Sequence, residues 1–190
     1  MHTDELPSTF TRSQALKSGL SKRELYRLRD SGELEQIGRG LYRRHNAPLA
    51  DFDLLEAGQR LPQATLCLTS ALARHGLTDE IPIRHDIALP RGHWHPQGST
   101  SIRWHSFEAR TFEVGRDEVA VDDDTTIGLY NADRSIVDAF RLKAQLGAET
   151  GYEALRRWLR AGGSPAQLLQ ISRQFPRTQN AIRSALQVLL

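Results

Sequence analysis

Thr11-Arg12-Ser13-Gln14-Ala15-Leu16-Lys17-Ser18-Gly19-Leu20-Ser21-Lys22-Arg23-Glu24-Leu25-Tyr26-Arg27-Leu28-Arg29-Asp30-Ser31-Gly32 writes the grammar of a helix start twice. In Thr11-Arg12-Ser13-Gln14 a hydroxyl stands three residues before a glutamine, so each side chain can satisfy an N–H that the first turn leaves open. A helix is expected from Thr11, with Phe10 stapled onto Ala15 and Gly19 supplying the left-handed residue that stops it after Ser18. Ser21-Lys22-Arg23-Glu24 repeats the pattern, Leu20 can staple onto Leu25, and Gly32 closes the second helix. Two helices joined by Gly19-Leu20-Ser21 cross steeply, and Ala15 is the small residue at their contact.

Helical spacing sends Leu25 and Leu28 inward to join Leu20, while Arg23, Tyr26, Arg27 and Asp30 point outward with Lys22 and Arg29 at the flanks. Beyond Gly32, Leu34-Glu35-Gln36-Ile37 and Leu41-Tyr42-Arg43-Arg44 read as strands around Gly38-Arg39-Gly40, a hairpin with arginine at its tip. Together these make a winged helix-turn-helix over residues 10–44, within a first domain of residues 1–46. A helix fits the DNA major groove, where arginine can hold guanine in a bidentate pair, and basic neighbours hold phosphates. Arg23 and Arg27 are therefore candidates for base contacts beside Tyr26. Lys22 and Arg39 are candidates for the backbone, with Arg43 and Arg44 weaker candidates for the same role. A protein-docking winged helix, whose basic face meets an acidic partner, is the alternative. Such domains ordinarily carry a further helix ahead of this pair, but Met1 to Thr9, with Pro7 in it, leaves little room. The core is expected to be truncated or completed from later in the chain.

Charge is unevenly distributed. Residues 1–44 hold nine Lys or Arg against six Asp or Glu, residues 45–131 hold seven against thirteen, and residues 132–190 hold nine against four. Two basic ends around an acidic middle fit a polyanionic partner, though solvated surface explains basic faces equally well. No apolar run approaches the roughly 20 residues of a membrane span. The first ten residues, with Asp4 and Glu5, do not read as a secretory signal. The single Cys67, set in Thr65-Leu66-Cys67-Leu68-Thr69, reads as a core thiol, and a cytoplasmic protein is expected.

After Pro48, residues 51–56 begin a short acidic helix that ends before Pro62, the expected domain junction. Residues 63–131 are expected to form a small, mainly antiparallel sheet, with strands near 83–89, 101–107, 118–121 and 127–130 broken by Pro90, Gly92, Pro96 and Gly98. A helix at 69–76 would be capped by Thr69 or Ser70, with His75 placed by the helix dipole. His85-Asp86, His93-Trp94-His95, His105 and Asp122-Asp123-Asp124 invite a metal-dependent nuclease reading. Gly92 and Pro96 put the paired histidines in a loop, however, and no partner recurs at ligand spacing. A solvated turn is the simpler account of the aspartates. No metal, cofactor or phosphate-loop signature is read, and the chain is not expected to be an enzyme. From residue 132 the pattern turns helical: 133–146, 152–161, 165–175 and 178–189, with Arg156, Arg157, Arg160, Arg173, Arg177 and Arg183 outward. The fold class is thus α+β, a winged domain followed by residues 47–190.

Four segments in this order resemble the AbiEi antitoxins of type IV toxin–antitoxin systems: Thr11-Arg12-Ser13-Gln14-Ala15-Leu16 leading to Gly19-Leu20-Ser21; Gly32-Glu33-Leu34 leading to Gly38-Arg39-Gly40-Leu41-Tyr42; residues 68–77; and Asp133-Arg134-Ser135-Ile136-Val137-Asp138. The resemblance implies a winged domain that represses its own operon at inverted repeats in double-stranded DNA. It also implies a C-terminal domain that counteracts a nucleotidyltransferase-like AbiEii toxin in phage defence, without implying direct sequestration. Some relatives carry a nuclease fold after the Arg-Ser-Ile-Val-Asp-like segment; here basic helices with Gly162-Gly163-Ser164-Pro165 take that place.

Overall fold

The computed structural model describes residues 6–97 and 99–190. Asp4 and Glu5 of the leading stretch, and Gly98 among the expected breaks, lie outside them. The chain divides into two compact units: one runs to Ala64 and also takes Glu118–Ile127, the other holds Thr65–Asp117 and Gly128–Leu190.

The first unit contains β1 (Thr9–Thr11), α1 (Arg12–Lys17), α2 (Lys22–Asp30), β2 (Leu34–Gly38), β3 (Leu41–Arg44) and α3 (Phe52–Arg60). Both early helices start at their hydroxyls. Thr11 Oγ1 accepts the Gln14 N–H at 3.2 Å while Gln14 Oε1 accepts the Thr11 N–H at 2.6 Å, completing the box. Ser21 Oγ accepts the Glu24 N–H at 3.1 Å, and the return bond from Glu24 is not formed among the described residues. Gly19 takes φ +94°, which lets its own N–H reach the Leu16 carbonyl at 3.2 Å and the Leu20 N–H reach that of Ala15 at 3.1 Å. Those two bonds close α1 and return the chain sharply into α2.

The short lead before α1 becomes a strand. Phe10 pairs with Tyr42 and Thr9 with Arg43, giving an antiparallel sheet in the order β1-β3-β2. The third helix of the unit is α3, which follows the wing and packs against β1 and β2. Asp51 caps it, accepting the N–H groups of Asp53 and Leu54 at 3.1 and 3.2 Å. Leu6, Phe10, Ala15, Leu20, Leu25, Leu28, Leu34 and Tyr42 form the core around the helix pair. Each leucine so buried stabilises the unit by about 1.5–3 kcal/mol.

The remaining elements are β4 (Thr65–Leu66), α4 (Leu68–Arg74), β5 (His85–Pro90), β6 (Ile102–Phe107), β7 (Arg116–Ala120), β8 (Thr126–Tyr130), α5 (Ala132–Arg141), α6 (Lys143–Leu146), α7 (Ala148–Arg160), α8 (Pro165–Ser172) and α9 (Pro176–Leu189). The end of β7 and the start of β8 belong to the first unit. The fold class is α+β as expected, but the five-stranded sheet, ordered β6-β5-β4-β8-β7, is mixed. Its β4/β5 pair is antiparallel, whereas β4/β8 and β5/β6 are parallel. The link 91–101 approaches the length of about a dozen residues that a parallel return requires.

Helix α4 is entered through Cys67, not capped by Thr69 or Ser70. Ser70 Oγ instead accepts the Asp86 N–H at 2.8 Å, and His75 at the C-terminal end of α4 meets the Tyr130 carbonyl through Nε2 at 2.8 Å. The helix expected through Leu146 breaks at Leu142 into α5 and α6. In α5, Arg134 is fully buried. Its Nε reaches Asp138 Oδ2 at 3.0 Å and its Nη1 reaches the Thr111 and Val114 carbonyls at 2.7 and 2.6 Å. The guanidinium lies over Tyr130 and Phe175, 4.2 and 4.5 Å from the ring centroids. Ile136, Val137, Leu155, Trp158, Leu168 and Ile182 fill the helical core around it. No helix among the described residues is long and apolar enough to cross a membrane.

Candidate nucleic-acid interface

Helix α2 presents its polar face because Leu25 and Leu28 are anchored beneath it. Lys22, Arg23 and Arg27 are exposed and Tyr26 is half-buried. Two cations lie against the Tyr26 ring, Lys22 Nζ 5.7 Å and the Arg29 guanidinium 4.9 Å from its centroid. Arg29 in turn bonds Asp30 at 2.9 and 2.7 Å, and this bond raises its pKa further. Both contacts are cation–π attractions to the ring.

Arg27 approaches Glu33 only to 3.9 Å with both side chains more than half exposed, a pairing worth about 0–1 kcal/mol that a phosphate or base readily displaces. Among the described residues Arg23 enters no ion pair. Ser21, Arg23, Glu24 and Arg27 line a shallow open depression at the start of the helix. The side chains nearest the N-terminus of α2 are thus also the most available, the geometry by which a recognition helix reaches base edges.

The wing forms at β2 and β3 with Arg39 exposed at its tip. The register slips between Gln36 and Gly38, which bends the hairpin just before the turn. Two elements outside the hairpin hold that turn. The Arg12 N–H donates to the Gly40 carbonyl at 2.8 Å, and Arg60 Nη2 at the end of α3 donates to the Arg39 carbonyl at 2.6 Å. Glu56 lies one helical turn earlier, 3.0 Å from Arg60, with its carboxylate against Gly38.

The other two candidates, Arg43 and Arg44, lie at the end of β3. Arg43 is only 3% exposed because β3 is the central strand. Its Nη1 lies 2.5 Å from Thr9 Oγ1 and 2.5 Å from Asp122 Oδ2, and its Nη2 donates to the Pro48 carbonyl. A guanidinium so enclosed is a structural ion, not a phosphate contact. Arg44 is half-buried and donates through Nη2 to the Leu6 carbonyl, tying the chain ahead of β1 to the sheet. Arg12 and Arg60 emerge beside the wing instead. Arg12 is read from the sequence only as part of a capping box, and Arg60 is not singled out there.

The residues of the nuclease reading have other partners. Asp122 accepts from Thr9 Oγ1 at 3.0 Å besides Arg43, and its Oδ1 accepts the Asp124 N–H at 3.1 Å. Burial pushes the Asp122 carboxyl up, but the bonds from Arg43, Asp124, Thr125 and Thr9 outweigh it, so its pKa lies below the ordinary value. In the second unit, Asp86 Oδ1 is 2.8 Å from His105 Nε2, and His95 Nε2 is 3.1 Å from Ser106 Oγ while its ring stacks on Trp104. Among the described residues no group of three His, Cys, Asp or Glu is placed to hold a metal ion. Cys67 is fully buried, which pushes its thiol well above the usual range.

Residues 4–45 match a family described as "Transcriptional regulator, AbiEi antitoxin". No curated protein matches the chain. Among solved structures, the RV2827C protein from Mycobacterium tuberculosis is similar in fold, with a TM-score of 0.53 at 16% identity over 89% of this chain and 77% of that one.

Proposed function

We propose that the chain is a DNA-binding transcriptional regulator acting as the antitoxin of a type IV toxin–antitoxin pair, and that it is not an enzyme. Its winged helix-turn-helix reads inverted repeats upstream of its own operon. Arg23 and Arg27 contact base edges, Tyr26 packs beside them, and Lys22 and Arg39 hold the backbone. The observation that carries this reading is the exposed basic face of α2, whose N-terminal arginines are only weakly engaged within the protein, beside a wing with arginine at its tip. The match of residues 4–45 to a regulator family supports it. The toxin it counteracts is a nucleotidyltransferase-like AbiEii protein, and the place of action is the cytoplasm.

The test is a mobility-shift titration with the region upstream of the gene. Binding is expected to weaken steeply with salt, because each phosphate neutralised contributes about 0.9 to the slope of log affinity against log salt. Arg23→Ala with Arg27→Ala is expected to cost about 1–3 kcal/mol for each base no longer read and to relax sequence preference. Sequence-specific binding that survives this double change unaltered refutes the assignment of the reading face. Co-expression with an adjacent nucleotidyltransferase gene, scored by growth, tests the antitoxin role.

A further inference from the structure

The wing tip is Gly38-Arg39-Gly40, an arginine between two glycines, and left alone such a turn samples many conformations. In this fold it is gripped at all three residues. A Cβ on Gly38 would lie 2.9 Å from Glu56 Oε1, so the carboxylate rests directly on the turn. Arg60 Nη2 binds the Arg39 carbonyl at 2.6 Å. On the remaining residue, the Arg12 N–H binds the Gly40 carbonyl at 2.8 Å, and the Arg12 Cβ lies 4.0 Å from where a Gly40 Cβ would stand.

Three arginines from three elements therefore meet at one end of the first unit: Arg12 from α1, Arg39 from the wing and Arg60 from α3. All three are exposed, Arg60 with 38% of its side chain accessible. A guanidinium carries five N–H donors, and the Arg39 carbonyl and Glu56 leave several on Arg60 unspent. The Arg60–Glu56 pair is a surface contact along one helix, cheap to loosen when an anion arrives.

We propose that Arg12, Arg39 and Arg60 form one phosphate-contact station, so that α3, which lies beyond the wing, belongs to the DNA-contacting surface and Arg60 also positions the wing. The ligand is the phosphodiester backbone, through charge-assisted bonds that carry no sequence preference. Holding the Arg39 carbonyl in place beforehand removes part of the ordering cost that a free glycine-flanked loop would meet on binding. This rests on the DNA-binding reading above.

The experiment measures binding of the full chain to its upstream region across a salt series. It compares the parent, Arg23→Ala with Arg27→Ala, and Arg12→Ala with Arg60→Ala, with thermal unfolding as a control for the fold. Arg12→Ala with Arg60→Ala is expected to keep the parent's sequence preference while its salt slope becomes shallower by about two, since each phosphate no longer neutralised removes about 0.9. Arg12→Ala with Arg60→Lys restores a charge and is expected to recover about half of that change. If the double alanine variant fails to fold, Arg12→Ala with Arg60→Gln, which keeps a donor for the Arg39 carbonyl without the charge, gives the same reading. If Arg12→Ala with Arg60→Ala keeps the parent's slope while Arg23→Ala with Arg27→Ala weakens affinity, this proposal alone is overturned. A parent chain without salt-dependent binding overturns it together with the DNA-binding reading.

Discussion

Replacing Asp122 with alanine leaves Arg43 buried without its carboxylate, and the structure fixes how much that matters. Both side chains are nearly sealed, at 3% and 2% accessible, and their closest atoms are 2.5 Å apart. Thr9 Oγ1 and the Asp124 N–H also donate to the carboxylate at 3.0 and 3.1 Å. Breaking a buried pair from one side costs about 3–5 kcal/mol, because an uncompensated charge stays behind. For a chain of this length that corresponds to a fall in Tm of roughly 6–20 °C. Arg43→Met with Asp122→Leu, which removes both charges, is expected to recover most of the loss. Acid should act in the same direction. The folded carboxyl titrates below its ordinary value, so its stabilisation is fully present above the unfolded pKa of about 3.9 and disappears as pH falls through the lower folded value. Urea denaturation of the parent, Arg43→Met, Asp122→Leu and the double variant gives the coupling energy directly. A loss below about 0.5 kcal/mol for Asp122→Ala, the range of an ordinary surface substitution, would refute the assignment of Arg43 as a structural ion.

Arg43→Ala should lower stability as Asp122→Ala does, yet leave the salt slope of DNA binding unchanged in the molecules that remain folded; a shallower slope would return Arg43 to the interface. Thr11→Ala removes the hydroxyl half of the α1 box, the bond accepted from the Gln14 N–H, and is expected to cost about 1 kcal/mol, read from the urea midpoint. Cys67 should resist thiol reagents in mildly alkaline buffer until the protein unfolds, and prompt labelling of the folded chain would show that its burial is misjudged. Gly163→Ala puts a Cβ 2.1 Å from the Trp158 ring and is expected to destabilise the helical core by about 1–3 kcal/mol, as overpacking does.

What is legible in the sequence is whatever is decided within a few residues. Thr11, Gly19, Ser21 and Gly32 bound their helices by bonds spanning three to five positions, and the helix-turn-helix lies where they place it. Leu25 and Leu28 reveal the buried face of α2, and so expose Lys22, Arg23 and Arg27 by elimination. Arg43 misleads because its partner Asp122 stands 79 positions away, in a stretch that looks locally like a solvated turn. Strand β1 leaves no mark in the sequence because three residues carry no period of their own and form only against β3. The parallel β5/β6 pair is hidden for a similar reason: Gly92 and Pro96 mark a break in the chain but not the direction in which it returns. Arg134 and Asp138 stand four apart on α5, a spacing that signals a pair, but only the rings of Tyr130 and Phe175 show the pair to be buried.

Assigning Glu118–Ile127 to the first unit also sets a timetable for biosynthesis. The whole helix-turn-helix, wing and α3 leave the ribosome first, but Arg43 cannot meet its carboxylate until the chain has been made through Asp122. Until then the emerging module carries a guanidinium with no anion to receive it. Domains made early generally fold as units during synthesis. This one completes its interior only after most of the sheet of its successor has been translated, so a gene fragment ending at Ala64 encodes α2 and the wing without the group that neutralises their central strand.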